Sequence, residues 1–405
     1  MTPMTANDPI IIVGGGLVGA SLAIALDAAG REAVLIEAAA PRTGAQPSYD
    51  ERNLALARAT VNGLTAIGVW ELAAPRATPI VDIHVSRAGD FGSVRMNAAA
   101  EGVDALGWTL PARELGEALL RRLDTCRHLT RIAPGRVGAI EAFEGGWSVA
   151  VETPDGPRRL STPLLVAADG THSEVRAQLG IGTRVHDYEQ TLFVCTMTPE
   201  RDHRGRAFER FTDRGPVAVL PLAERRLGLV LTVDAHEAAD VAAMDDAAFS
   251  ALAQDRFGWR LGRLSRPGKR HPYEIRRVAA ESLTGPRAVV VGNAAQTVHP
   301  IGAQGFNLGL RDALTLSELV AGASDPGDAR LLADYASRRE SDREGTMAMS
   351  HGLVRLACLE QPFLGPLRSL AMLAFDRVPP LRRAMARRGM GFREHAPAAI
   401  REPTP

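Results

Sequence analysis

The 405-residue chain predicts an α/β fold interrupted by an antiparallel sheet domain and closed by helices. Three observations predict it. The chain opens as strand, glycines, helix and strand. Its middle changes to alternating patterns with turn residues, and everything after Asp328 carries helical periodicity to about residue 390.

The opening unit runs from the β-branched stretch Ile10–Val13 through an apolar-periodic helix, Leu17–Ala29, that Gly30 ends. A second strand follows at Glu32–Glu37. Alternation around Trp147–Val151, Arg206–Leu222 and Arg226–Val233 reads as antiparallel sheet. Arg287–Val291 returns to a buried strand, then come a Gly-rich loop and a helix from Gln304 to Val320. The nucleotide-binding unit is therefore expected to be discontinuous (1–75, 100–180 and 278–345). A sheet unit is expected at 76–99 and 181–277, and a C-terminal helical segment at 346–395.

A hydrophobic fraction of 45% and a charged fraction of 23% are those of a globular, water-facing protein. Basic and acidic residues balance at 47 each, so no net charge draws the chain to nucleic acid. Cys126, Cys195 and Cys358 have neither a CxxC pair nor metal-ligand spacing, so no metal is expected and a reducing cytoplasm is. The N-terminal tail lacks a basic start and a cleavage site, and no apolar run reaches the ~18 residues of a membrane span.

Three glycine-bearing segments carry the chemistry. Gly14-Gly15-Gly16-Leu17-Val18-Gly19 is a GxGxxG between strand and helix. Gly14 permits the tight turn, Gly16 admits a pyrophosphate to the backbone, and Gly19 lets helix and strand pack closely. Glu37, at the end of the second strand, suits ribose hydroxyls. This pattern binds a dinucleotide but does not choose between FAD and NAD. In the second segment a buried strand delivers Asp169 and Gly170 to its carboxyl end, ahead of Ser173 and Arg176. By itself it is equally a strand-to-helix turn with a capping aspartate. The third segment, Val291 to Asp312, ends a strand at Gly292 and passes through His299, Pro300 and Gly302 into a helix at Gln304. Such a loop sets backbone N–H groups against a flat ring, where the helix dipole favours negative charge.

Together these segments resemble the flavoprotein aromatic hydroxylases of the para-hydroxybenzoate hydroxylase type, over roughly residues 10–345. The third segment departs from the general family, with Asn293 and Gln296 where Asp and His are usual; an Asn amide still hydrogen-bonds a hydroxyl. Its form, GNAAQT…HPI…QGFNLGLRD, is similar to the ubiquinone-pathway branch, the 2-polyprenyl-6-methoxyphenol hydroxylases. Tyr49–Leu56, Gly107–Leu115, Ala207–Thr212 and Gly215–Pro221 also resemble segments of that branch.

The resemblance implies a Rossmann-like FAD-binding domain with an inserted sheet domain. It also implies that NAD(P)H, bound transiently, reduces FAD, which activates O2 to hydroxylate a prenylated phenol. Glu37 would bind the adenosine ribose, and Asp169, Gly170 and Asn293 the pyrophosphate and ribityl regions. Gly302, Gln304, Gly305, Phe306 and Asn307 would hold the isoalloxazine edge. Arg52 and Arg113 are candidates for phosphate or flavin-edge contacts, or else surface ion pairs. The Pro300 carbonyl would accept from the substrate phenol, and His299 is either a proton relay or a satisfied loop histidine.

The C-terminal stretch from His351 to Arg393 interleaves Arg355, Arg368, Arg377, Arg382, Arg383, Arg387, Arg388 and Arg393 with leucines and phenylalanines. It suits peripheral contact with an anionic inner-membrane face or with a ubiquinone-biosynthesis complex, or equally packing on its own chain. The rivals are hydroxylation of another ring position or of a small non-prenylated aromatic, an NAD-dependent dehydrogenase, and a catalytically silent FAD-bound scaffold.

Overall fold

The computed structural model describes residues 8–40, 50, 52–298, 304–358, 369–370, 372–373, 377–393 and 396–401. At 347–358 and at 379 it describes the backbone alone. His299, Pro300 and Gly302 therefore lie outside the described residues.

The strand Ile10–Val13 is buried on both faces. It pairs in parallel with Ala33–Ile36 on one side and Leu165–Ala167 on the other. Ala288–Val290 and Leu129–Ile132 extend this sheet in parallel, and Thr284–Gly285 closes it antiparallel, giving six strands. Burial on both sides is why these strands read as unbroken apolar runs. The expected helices form as Leu17–Ala28 and Gln304–Val320. Both pack on the sheet through buried leucines and alanines.

The second large sheet runs in the order Gln296–Thr297, His271–Ala280, Thr183–Pro199, Leu227–Asp234, Gly215–Pro221, Arg206–Thr212, Asp82–Arg87 and Ser93–Asn97. It is antiparallel except between Arg206–Thr212 and Asp82–Arg87, which run parallel. Phe193, Phe208, Val219 and Leu229 pack on one face beneath Phe249 and Phe257 of the helix Asp246–Phe257. The alternation at Trp147–Val151 does make antiparallel sheet, but in a separate meander of Arg136–Phe143, Gly146–Thr153 and Gly156–Thr162. Alternation reports one wet and one dry face and does not say which sheet a strand joins.

A buried charge network clamps the long helix Ala329–Cys358 onto Gln304–Val320. Asp312 accepts from Arg339 Nε at 2.7 Å, while Asp342 accepts from Arg311 Nε at 2.6 Å and Arg339 Nη1 at 2.8 Å. Arg393 reaches Asp342 from the C-terminal segment at 3.3 Å. Burial works to raise the Asp342 carboxyl, but Arg311 and Arg339 together outweigh it and hold it well below the ordinary carboxylate range.

The other oxygen of Asp312 accepts from the Gly292 N–H at 3.0 Å and from Gln296 Nε2 at 2.7 Å. Asp312→Ala leaves Arg339 without that carboxylate and strips the third segment of its acceptor. The expected loss is about 3–5 kcal/mol of folding stability, measured as a lowered midpoint in urea denaturation.

Candidate active site

The three glycine-bearing segments meet at the carboxyl ends of the central strands. Gly14 holds φ +104°, and a Cβ there would sit 2.5 Å from the Ala168 carbonyl oxygen and 2.8 Å from the Asp169 Cα. A side chain at Gly19 would overlap the Gly14 carbonyl oxygen. Gly292 and Gly309 admit Val18 of the first helix, since a Cβ on either would lie 3.0 Å or less from Val18 Cγ2. The first segment thus touches the second through Gly14 and the third through Val18.

Two further ties join the second and third segments. The Arg176 guanidinium, buried, donates to the Ala294 carbonyl at 2.8 Å and to the Thr171 carbonyl at 3.1 Å. The Thr171 and Thr297 hydroxyls share a hydrogen bond at 2.7 Å. The sequence places Arg176 near a helix start, but its structural role depends on a partner over a hundred residues away.

A cavity of about 860 Å³ opens where these segments converge, lined by Gly14, Gly16, Glu37, Arg52, Asp169, Gly170, Asn293, Gln304, Gly305, Phe306 and Asn307. Helix Leu17–Ala28 begins at Gly16 with no side-chain cap and no acidic residue in its first turn, which leaves its N-terminal N–H groups suited to phosphate. Glu37 accepts from the Gly15 N–H at 2.6 Å and the Ala39 N–H at 2.7 Å, which fixes its carboxylate at the cavity wall. Asp169 accepts from the Ser173 hydroxyl and from the Val175 N–H at 3.1 Å, so it also caps the short helix Glu174–Gln178. Backbone donors, a ribose-ready carboxylate and an elongated cavity fit an FAD.

Asn307 has a different posture from that of a side-chain ligand. Its Oδ1 accepts from Ala57 N at 2.9 Å and Thr60 Oγ1 at 2.6 Å, and its Nδ2 donates to the Ala55 carbonyl. It pins the strand Asn53–Ala57 to the start of helix Gln304–Val320. Arg52 pairs with Asp50 and lies 5.4 Å from the Tyr273 ring centroid, at the cavity. Arg113 sits in the first turn of Ala112–Leu123, 3.3 Å from Glu114, and does not line the cavity.

Beyond the glycine turns the cavity continues over the dry face of the large sheet, lined by Leu192, Val194, Ala218, Leu220 and Val230. Glu209 lies in this apolar wall, and burial pushes its carboxyl up to about 8. A charged residue at the parity of Ala207 and Phe211 in an alternating strand is the signal that marks it in the sequence.

Gly19→Ala should abolish FAD retention, because the methyl cannot be placed without opening the Gly14 turn. Flavin absorbance of the purified variant checks this.

The FAD binding domain family matches residues 8–349. Ubiquinone hydroxylase UbiL of Rhodospirillum rubrum is 36% identical over 386 residues, covering 94% of this chain and 89% of that protein. The 3-demethoxyubiquinol 3-hydroxylase of Escherichia coli K12 is 29% identical over 397 residues, covering 95% of this chain and 100% of that protein. Among solved structures, p-nitrophenol 4-monooxygenase PnpA from Pseudomonas putida superimposes with a TM-score of 0.75 at 18% identity, covering 96% of this chain and 98% of that one. PqsL of Pseudomonas aeruginosa gives 0.74 at 21% identity, covering 90% and 99%. Structural likeness at such identity speaks for the fold, and the family match and the long, well-covered relatives for the rest: the chain belongs to the FAD binding domain family, as an FAD-dependent aromatic monooxygenase of the ubiquinone hydroxylase group.

Proposed function

We propose that this monooxygenase hydroxylates the ring of a polyprenylated phenol in ubiquinone biosynthesis, a 2-polyprenyl-6-methoxyphenol, with NAD(P)H as reductant and O2 as the oxygen source. The observation that carries the reading is the continuity of the cavity: a polar cradle at Gly14, Glu37 and Asp169 runs without a break into the apolar wall of Leu192, Val194, Leu220 and Val230. The names of the relatives in Rhodospirillum and Escherichia support the pathway.

FAD supplies the oxygen-transfer chemistry, so the protein has to bind, orient and keep water out. In this reading Gly14, Gly16 and Gly19 bring backbone N–H groups to the pyrophosphate, and Glu37 binds the adenosine ribose. Asp169, Gly170 and Asn293 hold the pyrophosphate and ribityl regions. Gln304, Gly305 and Phe306, with Gly302 before them, meet the isoalloxazine edge, where the helix dipole favours the negative charge of the reduced ring. Asn307 meets the same edge while its side chain positions the neighbouring strand, and Arg52 and Arg113 are candidates for phosphate or flavin-edge contacts. The Pro300 carbonyl accepts from the phenol hydroxyl, and His299 is either a proton relay or a satisfied loop histidine. The cofactor unit comprises 1–75, 100–180 and 278–345, with 76–99 and 181–277 as the substrate unit.

A cytoplasmic enzyme that meets a prenylated substrate at the inner membrane face completes the proposal. Among the described residues no helix is long and apolar enough to cross a membrane. The helix Pro379–Gly389 buries Ala386 and Met390 against Met96, Ala98 and Leu106, while Leu381 on its other side stays exposed, as do Arg383 and Arg388. Arg388, seven residues on, shares the face of Leu381, so that one helix both packs on its own chain and offers an apolar, basic surface suited to anionic lipid.

The purified protein should be yellow, and a prenylphenol should stimulate its NAD(P)H oxidation with hydroxylated product. A flavin-bound protein without that stimulation is the inert scaffold instead. Replacing Arg383 and Arg388 with Glu should reduce co-sedimentation with anionic liposomes and leave flavin content unchanged; equal sedimentation removes the membrane contact.

A further inference from the structure

Glu209 is the group the nucleotide cradle does not use. It sits on the strand Arg206–Thr212, directly opposite Ala218 of the antiparallel neighbour and Val85 of the parallel one. Residues facing each other across a ladder share a face. Its surroundings on that face are Ala207, Leu220 and Val230, with the Tyr273 ring further along the cavity. A carboxyl in such a wall pays a desolvation cost, and among the described residues no cation is set against it.

Charged groups on the neighbouring elements are set as follows in space. His84, Arg206 and Arg210 belong to the opposite face, by strand alternation and by the edge contact of His84 with Phe208. Arg87 follows two residues after Val85 and is engaged by Asp90 and Asp213. On the neighbour Gly215–Pro221 there is no charged residue. The helix Ala329–Cys358 packs against both strands and carries His351 and Arg355, whose side chains lie outside the described residues. At the far end of the cavity Arg52 is paired with Asp50. Among the described residues, burial is the cause that raises the Glu209 carboxyl to about 8.

We propose that Glu209 is a catalytic acid–base residue that takes the proton of the substrate's phenol hydroxyl, replacing that hydroxyl's resting hydrogen bond to the Pro300 carbonyl. This rests on the phenol reading above. Its carboxylate accepts the proton as the phenol O–H bond breaks and a carboxyl O–H bond forms. The electron pair left on the phenolic oxygen conjugates into the ring and raises electron density at its ortho and para carbons. No oxidation accompanies the transfer. A general base is most useful when its affinity for protons lies near the working pH, and an ordinary surface glutamate would be too weak a base for a phenol by several orders of magnitude.

The sign of the pH dependence follows. Glu209 is protonated below about 8 and becomes the base above it. Hydroxylation measured as kcat/KM should therefore rise with pH through about 8 in the wild type. In Glu209→Gln, hydroxylation should fall about 10²-fold or more and lose that inflection. FAD retention should be unchanged, and the NAD(P)H consumed should appear as hydrogen peroxide. Glu209→Asp should recover part of the rate and the inflection.

Infrared difference spectra of the wild-type holoenzyme, titrated and then mixed with a short-chain prenylphenol, give a readout independent of turnover. A protonated-carboxyl band should disappear near pH 8 and shift when the phenol binds. A wild-type pH profile and coupling in Glu209→Gln overturn the role, as does a carboxyl band indifferent to the phenol. If the wild type shows no phenol-stimulated NAD(P)H oxidation at all, the substrate reading fails, and the infrared titration still decides whether this carboxyl meets a phenol. Should Glu209→Gln fail to fold, the aspartate variant and the wild-type spectra decide the matter.

Discussion

One buried carboxylate, Asp312, ties the third glycine-bearing segment to the long C-terminal helix. One oxygen takes the Gly292 N–H and the Gln296 amide, and the other takes Arg339. The first pair fixes the third glycine segment at the carboxyl end of its strand. The second anchors the long helix that packs against the strands Arg206–Thr212 and Gly215–Pro221. A charge sealed from water is tolerated only when its acceptor sites are filled. Removing any one partner therefore disturbs all of them, and the cradle and the C-terminal helix are coupled.

Around that anchor the fold separates two environments within one cavity. At the nucleotide end the walls are backbone: glycines with no Cβ, a helix start with no cap, and carboxylates already tethered by main-chain N–H groups. Fixed dipoles of this kind bind a charged cofactor without having to reorganise. At the sheet end the walls are side chains, mostly apolar, among which the carboxyl of Glu209 is set between Ala207, Ala218 and Val230. An oxygen-transferring flavin enzyme has use for both halves, since it must hold a polar cofactor and keep water from a reactive centre.

The two halves were unequally legible before folding. Gly14 to Gly19 and Glu37 announce a nucleotide turn because their spacing obeys local geometry, and Gln304–Val320 announces a helix by its period alone. Asn307 shows what such spacing leaves unsaid: besides lining the cavity, its amide ties Ala55, Ala57 and Thr60 to the start of the helix. The strands Thr183–Pro199 and His271–Ala280, which form the middle of the large sheet, leave little local trace. Their identity is decided by long-range pairing.

The sequence by itself determined the fold class, the nucleotide-binding turn and the resemblance that points to a flavin hydroxylase. Each of those is written in residues close enough along the chain to interact through local backbone geometry. Only the tertiary structure decided that Asp169 touches Gly14, that Arg176 reaches Ala294, that Trp147 joins a different sheet from Phe208, and that Glu209 faces an apolar cavity. Those facts depend on contacts between residues remote in sequence. Burial and desolvation, which give such contacts their energy, exist only once the chain has closed around them.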